Sequence, residues 1–333
     1  MDRLVVTGGL GFIGSNFIRH LLQTREDLQI INLDYQGLGS NPENLSDLKH
    51  NRRYRNLKAD LSDPKVAERI AETADYIINF AAETHVDRSI ANPDPFLQSN
   101  VIATYNLLQS IRKNRPKKLV HISTDEVYGS APTGSFHEES PLNPSSPYSA
   151  TKAAGDLLVR AWTATYDLPT IILRCTNNFG PYQYPEKFIP KTIIRATKGL
   201  DIPLYGNGNQ VRDWIYVLDF CTAIEKAVEK GTLGETYNIS AGNELTNRQV
   251  AEQILATLSD SKSKIVSVED RPAHDYRYSL SSEKAQRQLG WKPQHSFPQA
   301  LGLTVKWYIS NKPWWKPLAT AKAIAPTPWK ERW

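Results

Sequence analysis

The chain has 333 residues, 40% of them hydrophobic and 23% charged, with 40 basic and 35 acidic side chains giving a net charge of +5. That length fits two lobes at ~150 residues each, and the mild, scattered positive charge leaves no nucleic-acid footprint. No apolar run approaches the ~18 residues needed to cross a bilayer, and the N-terminus enters a strand pattern with no leader, so a cytoplasmic protein is expected.

Residues 4–6 read as a short buried strand running into Gly8-Gly9-Leu10-Gly11-Phe12-Ile13-Gly14, then an amphipathic helix over about 13–23. Strands follow at 30–34, 54–58 and 75–80, a helix at about 94–113 and a fifth strand at 118–122. Short apolar strands alternating with helices predict an α/β fold, a Rossmann-type, doubly wound parallel sheet. A helical pattern over 146–166, opened by Ser-Pro, leads to another strand at 170–174. After Asn177 the chain becomes proline-rich, with helical patterns at about 217–230, 247–259 and 298–311. We read residues 1–175 as a dinucleotide-binding domain and 176–333 as a smaller C-terminal substrate lobe. The chain returns to the main sheet near 215–240, with a strand at 236–239. Trp314, Trp315, Trp329 and Trp333 crowd the last 20 residues, a composition that predicts a docked tail. Cys175 and Cys221 stand in no metal-ligand or Cys-x-x-Cys spacing, so reduced thiols and no metal site are expected.

Gly8, Gly11 and Gly14 lie between a strand and a helix. Glycine permits the tight turn and lets backbone approach a pyrophosphate, which the helix N-terminus attracts. Asp34 follows Gly14 by 20 residues at the end of the second strand. An acid there suits a ribose 2′-hydroxyl and repels a 2′-phosphate, favouring NAD over NADP. Asp60-Leu61, after the third strand, suits an adenine amine, with a helix N-cap region as the competing reading.

Tyr148 and Lys152 stand one helical turn apart, on one face. A lysine ammonium beside the phenol would favour the phenolate, which can take a proton as hydride leaves a sugar carbon. Thr124, at the end of the fifth strand, is the candidate hydroxyl partner. Asp125-Glu126 follow it directly, an adjacent acid and base of the kind that expels water. Tyr-x-x-x-Lys behind a dinucleotide turn resembles the short-chain dehydrogenase/reductase superfamily.

Closer stretches narrow the resemblance. Thr7–Asn16, Ala81–Ile90, Ser123–Gly129, Asn177–Gln183, Pro185-Glu186-Lys187, Arg212-Asp213-Trp214, Arg271–Asp275 and Leu289-Gly290-Trp291 resemble the dTDP-glucose 4,6-dehydratases. The similarity runs over essentially the whole chain. The family implies NAD as cofactor, dTDP-glucose as substrate and dTDP-4-keto-6-deoxyglucose plus water as products, within deoxysugar synthesis such as that of rhamnose. It implies Thr124, Asp125, Glu126, Tyr148 and Lys152 as the catalytic set. Gly8, Gly11, Phe12, Ile13, Gly14, Asp34, Asp60, Leu61, Phe80, Ala81, Ala82, Thr84, Ser99 and Asn177 would meet the cofactor together with Tyr148 and Lys152. Asn178 would sit near the substrate phosphate, and Lys187, Arg212 and Asn247 would grip the diphosphate. Pro203 and Tyr205 would flank the base, His274 to Tyr278 would close the site, and Thr84 and Thr124 would border the sugar. The family also implies a homodimer through the helices at about 94–113 and 148–166.

Three features depart from the family pattern. Gly37–Asn44 differs in composition, Ser240-Ala241 replaces Gly-Gly, and the short connection from the fifth strand to Tyr148 predicts a more open site. UDP-glucose remains an alternative substrate for the same reaction, since one methyl group on a pyrimidine is not resolved by these residues. Asp125-Glu126 argues against a UDP-sugar epimerase or decarboxylase, and the intact Tyr148–Lys152 pair argues against a non-catalytic NAD sensor.

Overall fold

The computed structural model describes residues 1–332; Trp333, one of the four tail tryptophans, lies outside the described residues. In chain order the first half contains β1 (Asp2–Thr7), α1 (Phe12–Thr24), β2 (Leu28–Asp34), β3 (Tyr54–Lys58), α2 (Pro64–Thr73), β4 (Tyr76–Asn79), α3 (Val86–Ala91), α4 (Asp94–Phe96), α5 (Ala103–Asn114), β5 (Lys118–Thr124) and α6 (Pro147–Tyr166). It continues with β6 (Thr170–Cys175), β7 (Asn177–Phe179), α7 (Phe188–Thr197), β8 (Ile202–Tyr205), β9 (Val211–Tyr216), α8 (Val217–Lys230), β10 (Thr236–Ile239) and β11 (Glu244–Thr246). The last elements are α9 (Asn247–Thr257), β12 (Ile265–Val268), α10 (Glu283–Leu289), α11 (Phe297–Ser310) and α12 (Lys312–Trp315).

Seven parallel strands form the central sheet in the order β10-β6-β5-β4-β1-β2-β3. This is the doubly wound sheet expected from the alternation of strands and helices. Side-chain alternation covers both faces. Leu4 and Val6 of β1 join the core shared with α1, α8 and α11, whereas Val5 joins the core under α2, α5 and α6. The chain order reverses between β1 and β4, which opens a crevice beyond their C-terminal ends, where ligands of such sheets bind.

Beyond β6, two small sheets, β11-β9-β7 and β12-β8, form the covering layer. That half is joined to the sheet rather than set apart from it: α8 packs on α1, β10 pairs with β6, and Phe179, Ile189 and Ile215 share a core with Leu4 and Phe17.

The reading over 94–113 resolves into α4, a π-helical stretch Leu97–Ile102, and α5. Five helices escaped the sequence reading, two of them, α3 and α12, being only 6 and 4 residues long. α2 begins with Asp63 accepting from Lys65 N, the N-cap that Pro64 then extends. α7 was hidden by Pro190, which sits in its first turn, where no intrahelical N–H is needed. α10 spans only 7 residues, too few for a clear period. The tail is docked: Trp315 and Trp329 are buried, and Trp314 Nε1 donates to Asn44 Oδ1 at 2.8 Å.

Candidate active site

The glycine turn connects β1 to α1 at the crevice. Gly8 has φ +72°, and a Cβ there would lie 2.8 Å from Ala81 N. A Cβ on Gly14 would meet Gly8 O at 2.7 Å. Only glycine lets this backbone fold so tightly and leave the α1 N-terminus bare. Asp34 closes the turn. Its Oδ2 accepts from Leu10 N at 3.0 Å, and its Oδ1 accepts from Gln36 N and Ser40 Oγ, each at 2.8 Å. The carboxylate therefore braces the loop as well as facing the crevice. Ser40 belongs to the unusual Gly37–Asn44 segment, which is tied back to the turn through Asn41 N and Asn44 Nδ2, both donating to Leu10 O.

β5 delivers Thr124, Asp125 and Glu126. Thr124 caps the short turn that follows: its hydroxyl donates to Asp125 Oδ1 at 3.0 Å and accepts from Glu126 N at 3.3 Å. α6 delivers Tyr148 and Lys152. Its N-terminus is fixed by a capping box between Ser146 and Ser149 and by Tyr148 N donating to Ser89 Oγ at 3.1 Å. Lys152 Nζ donates to Ile122 O at 2.7 Å. This uses one of the three N–H groups of the ammonium, on the same helix that carries the Tyr148 phenol. Burial, then the Glu126 and Cys175 charges, push that phenol well above its usual value, and the Thr124 hydroxyl opposes them.

The two carboxyls differ. Asp125 is 2% exposed, and burial followed by the Glu126 charge drives its carboxyl well above the ordinary range. Burial also raises Glu126, but Arg271, Arg212 and Lys187 pull against it. The acid therefore keeps its proton more readily at Asp125, and the base ionises more readily at Glu126.

Two adjoining cavities meet at this cluster. Every residue expected to touch the cofactor lines the first, from Gly8, Gly11, Phe12, Ile13 and Gly14 through Asp34, Asp60, Leu61, Phe80, Ala81, Ala82, Thr84 and Ser99 to Tyr148, Lys152 and Asn177. Thr124 and Asn178 line it too. Pro203, Tyr205, Arg212, Asn247, His274 and Tyr278 line the second, and Thr84, Glu126, Asn177 and Lys187 belong to both. Asp63 caps α2, while Asp60 accepts from Ser62 N in the turn before it and also borders the first cavity. Asn177 Oδ1 and Asp125 Oδ2 are buried without a hydrogen-bond partner beside that cavity. Bare glycines, an acid after β2 and unsatisfied polar atoms fit a dinucleotide.

Several residues in or behind these walls escaped the sequence reading. Arg271 Nη1 lies 3.0 Å from Asp87 Oδ1, and both line the second cavity. Arg88 bridges Glu83 at 2.8 Å and Glu186 at 3.1 Å. Tyr35 Oη donates to Glu83. All but Tyr35 lie inside the family-like stretches or beside them; the signal was present, and pairing between distant segments gave it meaning. His85 is buried, and burial pushes its imidazole down to about 4. Among the described residues, no group of His, Cys, Asp or Glu is arranged to hold a metal ion.

Two departures have structural consequences. Ser240 Oγ donates to Asp213, which also accepts from Asn243 N at 2.8 Å, so the serine braces the residue beside Arg212. The expected openness is not seen. The segment after β5 pairs with residues 277–281, Ala131 N donating to Arg277 O and Phe136 N to Ser279 O, so the cluster stays covered.

A glycine turn at a doubly wound sheet's switch point, followed by Tyr-x-x-x-Lys facing an acid pair, defines a dinucleotide-dependent short-chain dehydrogenase/reductase architecture built for sugar chemistry. Comparison with known proteins narrows this. The family described as GDP-mannose 4,6 dehydratase matches residues 5–304. A dTDP-glucose 4,6-dehydratase of Streptomyces niveus is 43% identical over 98% of each chain. A low-salt glycan biosynthesis protein of Haloferax volcanii is 45% identical over 92% of this chain and 99% of its own. The dTDP-glucose 4,6-dehydratase structure from Streptomyces venezuelae, solved with NAD bound, superposes with a TM-score of 0.92 at 45% identity, covering 95% of this chain and 99% of that one. The chain belongs to this family of nucleotide-sugar 4,6-dehydratases.

Proposed function

We propose that the protein converts dTDP-glucose to dTDP-4-keto-6-deoxyglucose and water with a tightly held NAD. The observation that carries this reading is the unequal setting of Asp125 and Glu126, one carboxyl deeply buried and the other facing three cations. NAD, when bound, supplies the hydride acceptor and donor, taking hydride from C4 and returning it to C6. Tyr148 removes the O4 proton as its phenolate, a form that the positive nicotinamide ring would favour once NAD is bound, while Thr124 steadies that oxygen and Lys152 holds the cofactor's ribose side of the site. The resulting C4 ketone acidifies the C5 proton. Glu126 removes that proton, and Asp125 donates its own to the departing C6 hydroxyl, which leaves as water. Glu126 then returns a proton to C5 as hydride reaches C6. Asp125 recovers its proton, balancing the one lost from O4.

The cations of the second cavity favour a nucleoside diphosphate. Arg212, Arg271 and Lys187 lie within its wall, and an arginine fork binds two phosphate oxygens at once. We also infer a cytoplasmic homodimer serving deoxysugar synthesis, rhamnose being one such product. No helix among the described residues is long and apolar enough to cross a membrane.

The deciding experiment is mass spectrometry of dTDP-glucose and UDP-glucose after incubation with the purified protein in heavy water. Loss of one water with one deuterium gained at C5 is the expected result, and the faster substrate identifies the base. If neither sugar nucleotide loses water even with NAD supplied, the reading fails.

A further inference from the structure

The base end of the second cavity is closed by a part of the chain far from every motif above. Residues 328–330 pack on α3. There Trp329, 8% exposed, sets its ring edge-to-face against Tyr205, with centroids 4.7 Å apart and planes at 85°. Tyr205 lines the cavity and Trp329 stands behind it. The path to this position is itself fastened. Trp315 is buried, Arg195 Nη1 donates to Ile324 O at 2.8 Å, and Lys330 pairs with Glu269.

Tyr205 is held at its other end as well. Its hydroxyl donates to Asp87 Oδ2 at 2.7 Å, and Asp87 Oδ1 in turn takes Arg271. The His274 ring lies 5.9 Å from the Tyr205 ring. One aromatic wall thus depends on a buried ion pair inside the cavity and on a tryptophan outside it.

We propose that Trp329 is a positioning residue for the nucleotide base: it clamps the Tyr205 ring, and through Tyr205 it sets affinity for the pyrimidine end of the substrate. This rests on the dTDP-sugar reading above. A clamp on the base acts far from the acid pair, so it governs binding equally in the ground and transition states. Its loss should appear in KM, with kcat nearly unchanged. An edge-to-face aromatic pair is worth enough to shift affinity by about three- to tenfold.

The test uses Trp329→Phe and Trp329→Leu in the full chain, with thymidine diphosphate binding followed by calorimetry and dTDP-glucose turnover followed in parallel. Trp329→Leu keeps apolar bulk against α3 and removes the ring, so folding is preserved and can be checked by melting temperature. The expected result is about three- to tenfold weaker thymidine diphosphate binding and a matching rise in KM for Leu, with Phe restoring most of both. Tyr205→Ala should make the Trp329→Leu change silent, because the two act through one ring. Unchanged binding and KM in a folded Trp329→Leu protein overturn the proposal, as does an equal loss in the Tyr205→Ala background. A wild type that binds thymidine diphosphate but leaves dTDP-glucose intact would sink the proposed reaction and leave the clamp standing. A wild type that binds no thymidine diphosphate overturns the clamp itself.

Discussion

Arg174 Nε lies 2.8 Å from Asp156 Oδ2, and neither side chain has any exposure to solvent. Asp156 is one helical turn beyond Lys152 on α6, and Arg174 stands on β6, so this pair pins the helix that carries Tyr148 and Lys152 to the sheet. Arg174 also donates to Tyr128 Oη at 2.6 Å, whose hydroxyl passes on to Asn238 Oδ1 at 2.9 Å. The active-site helix is thereby tied to β10 at the sheet's far edge.

Removing one member strands a charge in the interior. Arg174→Met should lose about 3–5 kcal/mol in urea unfolding, and Arg174→Met with Asp156→Asn should recover part of that loss. Equal stability of the single variant and the wild type would show that the pair does not pin the helix.

Asp125 is a case in which function costs stability. Its pKa is raised in the folded protein, so stability is fully present below the ordinary carboxylate range. It is lost as pH rises toward the raised folded value, because the unfolded chain ionises first. Asp125→Asn removes this penalty and keeps an oxygen for the Thr124 hydroxyl. It should melt higher than wild type at neutral pH, by about 1 kcal/mol equivalent, and the difference should vanish in acid. A lower melting temperature at neutral pH would contradict the buried, proton-holding carboxyl.

The same asymmetry predicts the kinetics. With Asp125→Asn and Glu126→Gln combined, water loss should fall by about 10²-fold or more, while the bound cofactor still becomes reduced on adding dTDP-glucose. The absorbance of reduced nicotinamide reads this directly. Wild-type turnover should be bell-shaped in pH: falling in acid as Glu126 takes a proton, and in alkali as Asp125 loses one. Dehydration at the normal rate in the double variant would refute the roles given to this pair.

What was legible in the chain and what was not follows from how local each signal is. The glycine turn, Asp34, Thr124 to Glu126 and the Tyr148–Lys152 spacing are contiguous patterns, and the fold carries them to one crevice. β3, α8 and β10 fall at the residues read from the sequence, and of these α8 buries a periodic helical face while β10 is a short, largely buried run. The small sheets of the covering layer were invisible: β7 and β11 are 3 residues each and acquire meaning only by pairing with β9. Arg271 with Asp87, 184 positions apart, and Trp329 on Tyr205 are likewise products of tertiary contact.

The cofactor turn supports a binding prediction independent of turnover. Gly14→Ala places a Cβ 2.7 Å from both Gly8 O and Gly9 Cα, which forces the turn apart. The variant should fold but purify without nucleotide and bind added NAD at least about tenfold more weakly by calorimetry. Wild type should prefer NAD to NADP, since Asp34 repels a 2′-phosphate. NAD retained in Gly14→Ala at wild-type affinity would remove the turn from the cofactor site.

The homodimer proposal rests on an apolar face left bare by the fold. Leu97, Ile102 and Tyr105 along the π-helical stretch and α5, and Leu157 on α6, are all exposed, two of them at 53%. Tyr105 on α5 sits edge-on to Trp162 on α6 at 5.8 Å, which links the two helices at this face. Two packed helices presenting such a face bury it by meeting the same pair on a second copy, which makes a four-helix contact about a two-fold axis. Each large aliphatic side chain so covered contributes about 1.5–3 kcal/mol. Leu97→Glu with Leu157→Glu should therefore convert a dimer to a monomer in light scattering while NAD stays bound. A wild type that runs as a stable monomer at micromolar concentration would mean that another surface, or none, covers this face.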